Sequence, residues 1–201
     1  MRLEPLHPQH IPGLQAAALD GELWRLPLTW VPHPDDTAAY VQHALDMQQH
    51  GTRCPWAVVD AFTGQVLGTT SYHDIVPAVQ RLEIGYTWYA PSVQRSHVNT
   101  TCKWLLLRHA FETLGCAVVG WRTDALNTRS RQAIERLDAQ LDGVLRHHAL
   151  RRDGSVRDTA MYSLLASEWP AVQTRLLDKL EQHASAHAAF QTPNTVKTRH
   201  T

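Results

Sequence analysis

A chain of 201 residues with 43% hydrophobic side chains holds enough apolar mass for one compact domain and too little for a second of similar size. Nineteen Lys and Arg offset nineteen Asp and Glu, which removes the electrostatic case for nucleic acid, a membrane surface or an acidic partner and leaves a small ligand as the expected partner. Cys54, Cys102 and Cys116 stand at no CxxC spacing and in odd number, which argues against a disulfide framework or zinc site and for a reducing compartment.

The opening MRLEPLHPQHIPGL has no apolar signal core, and nothing later approaches a spanning length of about 18 apolar residues; a cytoplasmic protein is expected. Arg2 to Leu6 reads as a first strand, and Pro8 opens a helix with Ile11, Leu14, Ala17 and Ala18 on one stripe. Gly21 to Pro34 then loses all period across three prolines while holding Trp24, Leu26, Leu28 and Trp30, so it reads as a loop that covers something. Asp35 or Asp36 should cap a second helix, whose Ala38, Val41, Ala44, Leu45 and Gln48 share a face and which Gly51 ends. Pro55 to Asp60 and Gln65 to His73 form a hairpin across Thr63-Gly64, and Gln80 to Tyr89 is a third long strand after the Pro77 turn.

Helix Asn99 to Leu114 carries apolar residues on two faces, Cys102, Leu105 and Leu106 on one and Trp104, Leu107 and Phe111 on the other, so it should be buried on both sides. Gly115 ends it, Ala117 to Thr123 is a central strand, and Asn127 or Thr128 caps a helix whose Ala133, Ile134 and Leu137 face inward. Strands Leu141 to His148 and Val156 to Leu165 follow across Asp153-Gly154, and a last helix runs from near Ser167 to about Leu180. Residues 1–180 read as the domain, and 181–201 as a polar tail, mobile or loosely docked. Of the thirteen histidines only His183 and His187 have the i, i+4 spacing that puts two imidazoles on one side of a helix, and they lie in that tail; no metal is expected.

One stretch carries chemistry. Glu83-Ile84-Gly85-Tyr86, then Gln94-Arg95-Ser96-His97-Val98-Asn99-Thr100, then Asp124, Asn127, Ser130, Ala133-Ile134-Glu135 and Leu137 occur in an order that resembles the GNAT superfamily of acetyl-CoA-dependent N-acetyltransferases. Within it they resemble the Rim-type branch related to ribosomal-protein N-terminal acetyltransferases, and Asp142-Gly143, Arg157-Asp158-Thr159 and Glu168-Trp169-Pro170 extend the likeness to about Leu180. The resemblance implies a mixed α/β fold with a centrally splayed sheet of six or seven strands flanked by helices. It also implies acetyl-CoA as co-substrate, an amine acceptor that is a small molecule or a peptide N-terminus, and direct attack in a ternary complex. A homodimer stays open.

A turn leading into a helix N-terminus offers backbone N–H groups and the positive end of the macrodipole to a pyrophosphate, and Gln94 to Thr100 is so placed. The family's Q/R-x-x-G-x-G/A pattern is matched at Gln94 but carries His97 and Asn99 where small residues are usual, and Asp138 stands where relatives have Gly. These departures keep a second reading open, a non-catalytic CoA-binding module. The resemblance implies that backbone groups of Tyr86 to Tyr89, Trp88 included, pair with the pantetheine arm, that Asn127 hydrogen-bonds it and that Ser130 protonates the leaving thiolate. For the latter two, a plain helix cap and a first-turn residue are the simpler alternatives. Glu83 is the candidate base for the amine, with His73 and Asp158 behind it. Among Arg95, Lys103, Arg129, Arg131 and Arg136, Arg131 is chosen for the 3′-phosphate, with Arg95 second. Trp24, Trp30, Tyr86, Trp88 and Tyr89 are candidate walls of the acceptor pocket beside His73, and Arg25 a charge for an acidic part of the acceptor.

Overall fold

The computed structural model describes residues 1–191. Seven strands, β1 (Arg2–Pro5), β2 (Arg53–Val59), β3 (Val66–Val76), β4 (Arg81–Tyr89), β5 (Val118–Asp124), β6 (Gln140–Leu150) and β7 (Val156–Leu165), join five helices. These are α1 (Ile11–Leu19), α2 (Thr37–Gln49), α3 (His97–Arg108), α4 (Thr128–Glu135) and α5 (Trp169–Gln191). The strands form one sheet in the order β1-β2-β3-β4-β5-β7-β6, antiparallel except at β4 and β5. Those two are parallel neighbours, so the chain needs a crossover between them, and α3 supplies it.

The parallel ladder is short. Arg81, Leu82 and Glu83 pair with Val118, Val119 and Gly120, and there it stops, although β4 runs on to Tyr89 and β5 to Asp124. Past Glu83 the edge of β4 turned toward β5 therefore has no strand partner. On its other edge β4 stays paired with β3, but with a register shift: Ser71 faces Gly85 and Thr69 faces Trp88. The extra residue is absorbed at Tyr86, whose φ is 51°, a left-handed conformation for a bulky side chain and the mark of a bulge. Its consequence is a change of parity. Leu82 and Ile84 point into the core under α3 and α5, whereas beyond the bulge Thr87 and Tyr89 take that side and Trp88 joins the core under α1 and α2.

Both faces of the sheet are thus covered. Tyr72, Ile84, Val119, Trp121 and Leu164 pack with Leu106 and Leu107 of α3 and Val172 and Leu176 of α5. On the other face Ala57, Val59 and Trp88 pack with Leu14 and Ala18 of α1 and Val41 and Ala44 of α2.

Four local expectations change. Asp36 occupies the N-cap position of α2 but makes no side-chain cap bond; the turn before it is capped by the His33 ring, which accepts from the Asp35 N–H. Helix α3 begins at His97 rather than Asn99, and its last turn, His109–Thr113, loosens into π geometry before Gly115. Asp138, where the resemblance puts Gly, has φ 60°, a left-handed conformation that Asp is among the few non-glycine residues to visit readily. Helix α5 runs to Gln191 instead of ending near Leu180, consistent with the alanines of its last turns, and the remainder of the expected tail, 192–201, lies outside the described residues.

At Gly68 the φ is 153° and a Cβ would lie 2.1 Å from the Trp88 carbonyl oxygen, a backbone atom fixed by the β3–β4 ladder. Gly68→Ala is therefore expected to destabilise the fold by about 1–3 kcal/mol, read as a lower urea midpoint at constant slope.

Candidate active site

Side-chain alternation decides what lies at the splay. Leu82 and Ile84, Tyr72, and Trp121 all face α3, so their neighbours Glu83, His73 and Arg122 face the opposite side, the one on which α1 and α2 pack. Glu83 is fully buried. Arg122 holds it from two nitrogens, Nε to Oε2 at 2.6 Å and Nη2 to Oε1 at 2.8 Å, and Arg81 Nη2 adds a bond at 3.2 Å. Arg122 also reaches Asp74 at 2.5 Å. Gly120 leaves the space: a Cβ there would lie 3.0 Å from Glu83 Cγ and 2.8 Å from Arg81 Nη2. Burial alone would raise the Glu83 carboxyl pKa, but the hydrogen bonds and charge of Arg122, with His73 and Arg81, hold it below the ordinary value. A carboxylate engaged in this way has little affinity for a proton.

His73 lies over Gly85 with Nε2 3.9 Å from Glu83 Oε2 and its ring edge-on to Tyr86 at 5.1 Å. Burial pushes the imidazole down to about 4, against the pull of Glu83, so it is neutral at pH 7. Arg53 completes this floor and was missed from sequence, where β2 was read from Pro55. The period-two row Arg53, Pro55, Ala57, Val59 was the available signal. Only 1% exposed, Arg53 donates to Ser71 Oγ at 2.8 Å and Tyr40 Oη at 3.1 Å, with the Tyr86 ring 3.8 Å from its guanidinium carbon. Asp158 is elsewhere, accepting from the His147 N–H of β6 at 2.8 Å.

The end of β4 turns directly into the N-terminus of α3. Ser96 is the cap, its Oγ accepting from the Val98 N–H at 3.3 Å, and the N–H of Asn99 also lies in the first turn, while helix geometry commits that of Thr100 inward. His97 is the first helical residue and exposed, and Arg95 is exposed at φ 60°. Gln94 spans the cleft mouth: its Nε2 donates to the Tyr89 carbonyl at 2.8 Å and its Oε1 accepts from Arg129 of α4. Asn127 caps α4, accepting from the Ser130 N–H at 3.0 Å, and its Nδ2 donates to the Leu28 carbonyl at 3.3 Å. The half-buried Ser130 hydroxyl has no hydrogen-bond partner among the described residues.

Three side chains sit differently from expectation. Arg131 does not point to the cleft mouth; its Nε donates to Tyr162 Oη at 2.9 Å and its Nη1 to the Ala125 carbonyl at 3.3 Å, which fastens α4 to β7. Trp88 and Tyr89 are both buried, on opposite faces, so their side chains are core and only their backbone borders the cleft.

The segment between α1 and α2 crosses the site as a strap. Asp20 Oδ2 accepts from the Ser92 N–H at 2.9 Å, Leu28 meets Asn127, and Arg152 of the β6–β7 turn donates to the carbonyls of Trp24 and Val31, each at 3.0 Å. Trp24 is half-buried against His33, Trp30 is exposed under Arg152, and Arg25 pairs with Glu22 within the strap. Among the described residues no cluster of metal-ligating side chains occurs, and no helix is long and apolar enough to cross a membrane.

The sheet thus opens between two parallel strands, with a capped helix N-terminus at the open end. Residues 1–140 match the profile of the acetyltransferase (GNAT) domain, and the chain belongs to that family of N-acetyltransferases, whose members transfer acetyl from acetyl-CoA. It is 26% identical over 122 residues, 61% of this chain and 67% of the other, to the uncharacterised N-acetyltransferase YoaA of Bacillus subtilis (strain 168). A crystal structure from T. thermophilus, of a protein assigned as an acetyltransferase, is 36% identical with a TM-score of 0.77, over 89% of this chain and 93% of that one. Mycobacterium smegmatis RimJ, solved in complex with CoA-disulfide, shares the fold at a TM-score of 0.73 and 19% identity, over 88% of each chain.

The histidine gives a pH test. Because its folded pKa, about 4, lies below its ordinary 6.5, His73 contributes stability that is complete above the ordinary value and is lost as pH falls toward the folded one. Between those limits the wild type should lose about 1–3 kcal/mol, several degrees in Tm, and His73→Gln distinctly less; equal losses would remove His73 as the cause.

Proposed function

We propose that this protein transfers acetyl from acetyl-CoA to a primary amine by direct attack in a ternary complex. The observation that carries the reading is the end of the β4–β5 ladder at Glu83 and Gly120, three pairs long, while β4 runs on to Tyr89 and the chain then enters α3 at His97. The edge of β4 past Glu83, which has no strand partner and whose Tyr89 carbonyl is held by the Gln94 side chain, fits the amides of a pantetheine arm. The α3 N-terminus fits a pyrophosphate, and Arg95 and Arg129, not Arg131, are the guanidiniums at the mouth that fit the 3′-phosphate. Bound there, the coenzyme supplies the activated acetyl group.

The chain's own residues then do the following. Asn127 orients α4, with its Nδ2 exchanging the Leu28 carbonyl for the pantetheine arm. Ser130, with a hydroxyl free to donate, gives the proton that a leaving thiolate needs; a thiol of ordinary pKa asks only modest help. Glu83, neutralised by Arg122, and neutral His73 form a floor of low proton affinity, so the amine enters as its free base and Glu83 anchors rather than abstracts. The strap, with Trp24 and Trp30, covers the acceptor side, where a small molecule or a peptide N-terminus would enter.

Thiol release from acetyl-CoA against a panel of small amines and peptides tests the transfer; CoA binding with no release from any acceptor would favour the binding-module reading. Val98 and Asn99 lie in the first turn of α3, where Pro is tolerated, so Asn99→Pro removes a donor without breaking the helix. Calorimetry should show at least a tenfold loss in acetyl-CoA affinity, about 1.4 kcal/mol, and unchanged affinity would refute the phosphate site. Ser130→Ala should lower kcat and kcat/KM together by about tenfold or more with KM for acetyl-CoA unmoved; an unaltered kcat would leave the thiolate to other groups.

A further inference from the structure

Lys103 is 6% exposed. Lysines are almost never fully buried unless paired with a carboxylate, yet among the described residues Lys103 takes part in no salt bridge, and its hydrogen bond is to Thr87 Oγ1 at 3.3 Å. Thr87 Oγ1 is itself shared with Thr70 Oγ1 at 2.8 Å and the Gly85 carbonyl at 3.3 Å. Three ammonium protons thus face one crowded hydroxyl. Burial pushes the amine down to about 8, with the Cys102 thiol the titratable neighbour that opposes the shift; the group remains mainly charged at pH 7. Leaving such a charge uncompensated in the interior costs several kcal/mol, where a leucine or methionine on this stripe of α3 would cost nothing.

The location explains what could compensate it. Lys103 lies on the stripe of α3 that includes the buried Leu106, Leu107 and Ala110 and faces the sheet. Thr87 lies just past the bulge, on the part of β4 that has parted from β5. Alternation from Trp121 puts the buried Thr123 of β5 on the same face. The Trp121 indole N–H is buried with no acceptor. Beneath α3, then, the separated strands hold donors and one cation with too few acceptors.

We propose that Lys103 is a further catalytic residue of the acetyl transfer: its ammonium supplies the positive charge that meets the coenzyme sulfur as the thioester breaks. The inference rests on the function proposed above. In that step the carbon–nitrogen bond of the product amide forms, the carbon–sulfur bond breaks and its electron pair passes to sulfur. The amine loses its proton to solvent, and the sulfur is protonated from the side of Ser130, leaving Lys103 charged throughout. Pantetheine amides need only the neutral N–H groups of the β4 edge, whereas the sulfur is the atom at that end of the coenzyme that leaves as an anion, which is what a fixed cation serves.

The test is the ultraviolet thiolate band of CoA bound to the protein, titrated with pH, for wild type, Lys103→Met and Lys103→Gln. Wild type should bind CoA with its thiol pKa lowered by at least one unit, a tenfold effect on the thiolate fraction, and both variants should return it to the ordinary 8 to 9. Acetyl-CoA affinity should stay within about twofold, kcat should fall at least tenfold, and Tm should hold or rise in Lys103→Met. Identical titrations in all three proteins would overturn the assignment, as would full activity in Lys103→Gln, which keeps hydrogen bonding without charge. Loss of acetyl-CoA affinity with no change in thiol pKa would overturn it too, by making Lys103 a coenzyme-binding group only. Absence of CoA binding by the wild type is a different failure, because it removes the proposed function itself.

Discussion

Everything at the site depends on β4 being shared unequally by its two neighbours. It keeps β3 along its whole length and keeps β5 for three residues only. The left-handed residue Tyr86 is the point at which this is done. A bulge increases local twist, which carries the end of β4 away from β5, and the same extra residue reverses which side chains face which helix. Without that reversal Thr87 would lie among the residues of the acceptor side and Lys103 would have no partner at all, and Tyr86 would not lie across Arg53.

The charges beside the splay are partnered unequally. On the face away from α3, Glu83, Arg122, Arg81 and Asp74 form a nearly neutral group whose members hydrogen-bond one another. Glu83 is its buried member, so loss of Arg122, which bonds it from two nitrogens, is the change that would leave a buried charge poorly compensated, a loss of about 3–5 kcal/mol. Lys103, beneath α3, belongs to no such group, and on the Glu83 face neither does the buried Arg53, whose hydrogen bonds go to Ser71 Oγ and Tyr40 Oη.

The succession of elements was legible because each had local causes: alternation for the strands, the apolar stripe for α1 and α2, Gly115 after the last turn of the crossover helix, and Asn127 as a cap whose side chain does accept from Ser130. The parallel pair followed from the length of the connection. What was not legible is decided by contacts distant in sequence. Nothing in Gly85-Tyr86-Thr87 announces that the non-glycine takes the left-handed conformation. Lys103 reads as one of five cations at the helix starts until the sheet and α5 are both in place around α3. Arg131 reads as a phosphate ligand until Tyr162, 31 residues on, is found beside it. Nor does the sequence show what holds the Glu83 carboxylate, since Arg122 lies 39 residues away.

The two halves of the opened sheet are joined past Glu83 by few bonds: Gln94 to Arg129, Leu28 to Asn127, and Arg152 to Trp24 and Val31. Each is a polar contact near or at the surface, worth about 0.5–1.5 kcal/mol net, so together they resist opening by a few kcal/mol. A ligand bound at micromolar affinity releases about 8 kcal/mol, enough to exchange these bonds for its own. The apolar layers beneath α3 and α5 and beneath α1 and α2 need not move, because the ties involve only the strap, two helix ends and one turn. The cleft is therefore shut by the elements that a coenzyme and an amine would touch, while the sheet that aligns them stays fixed.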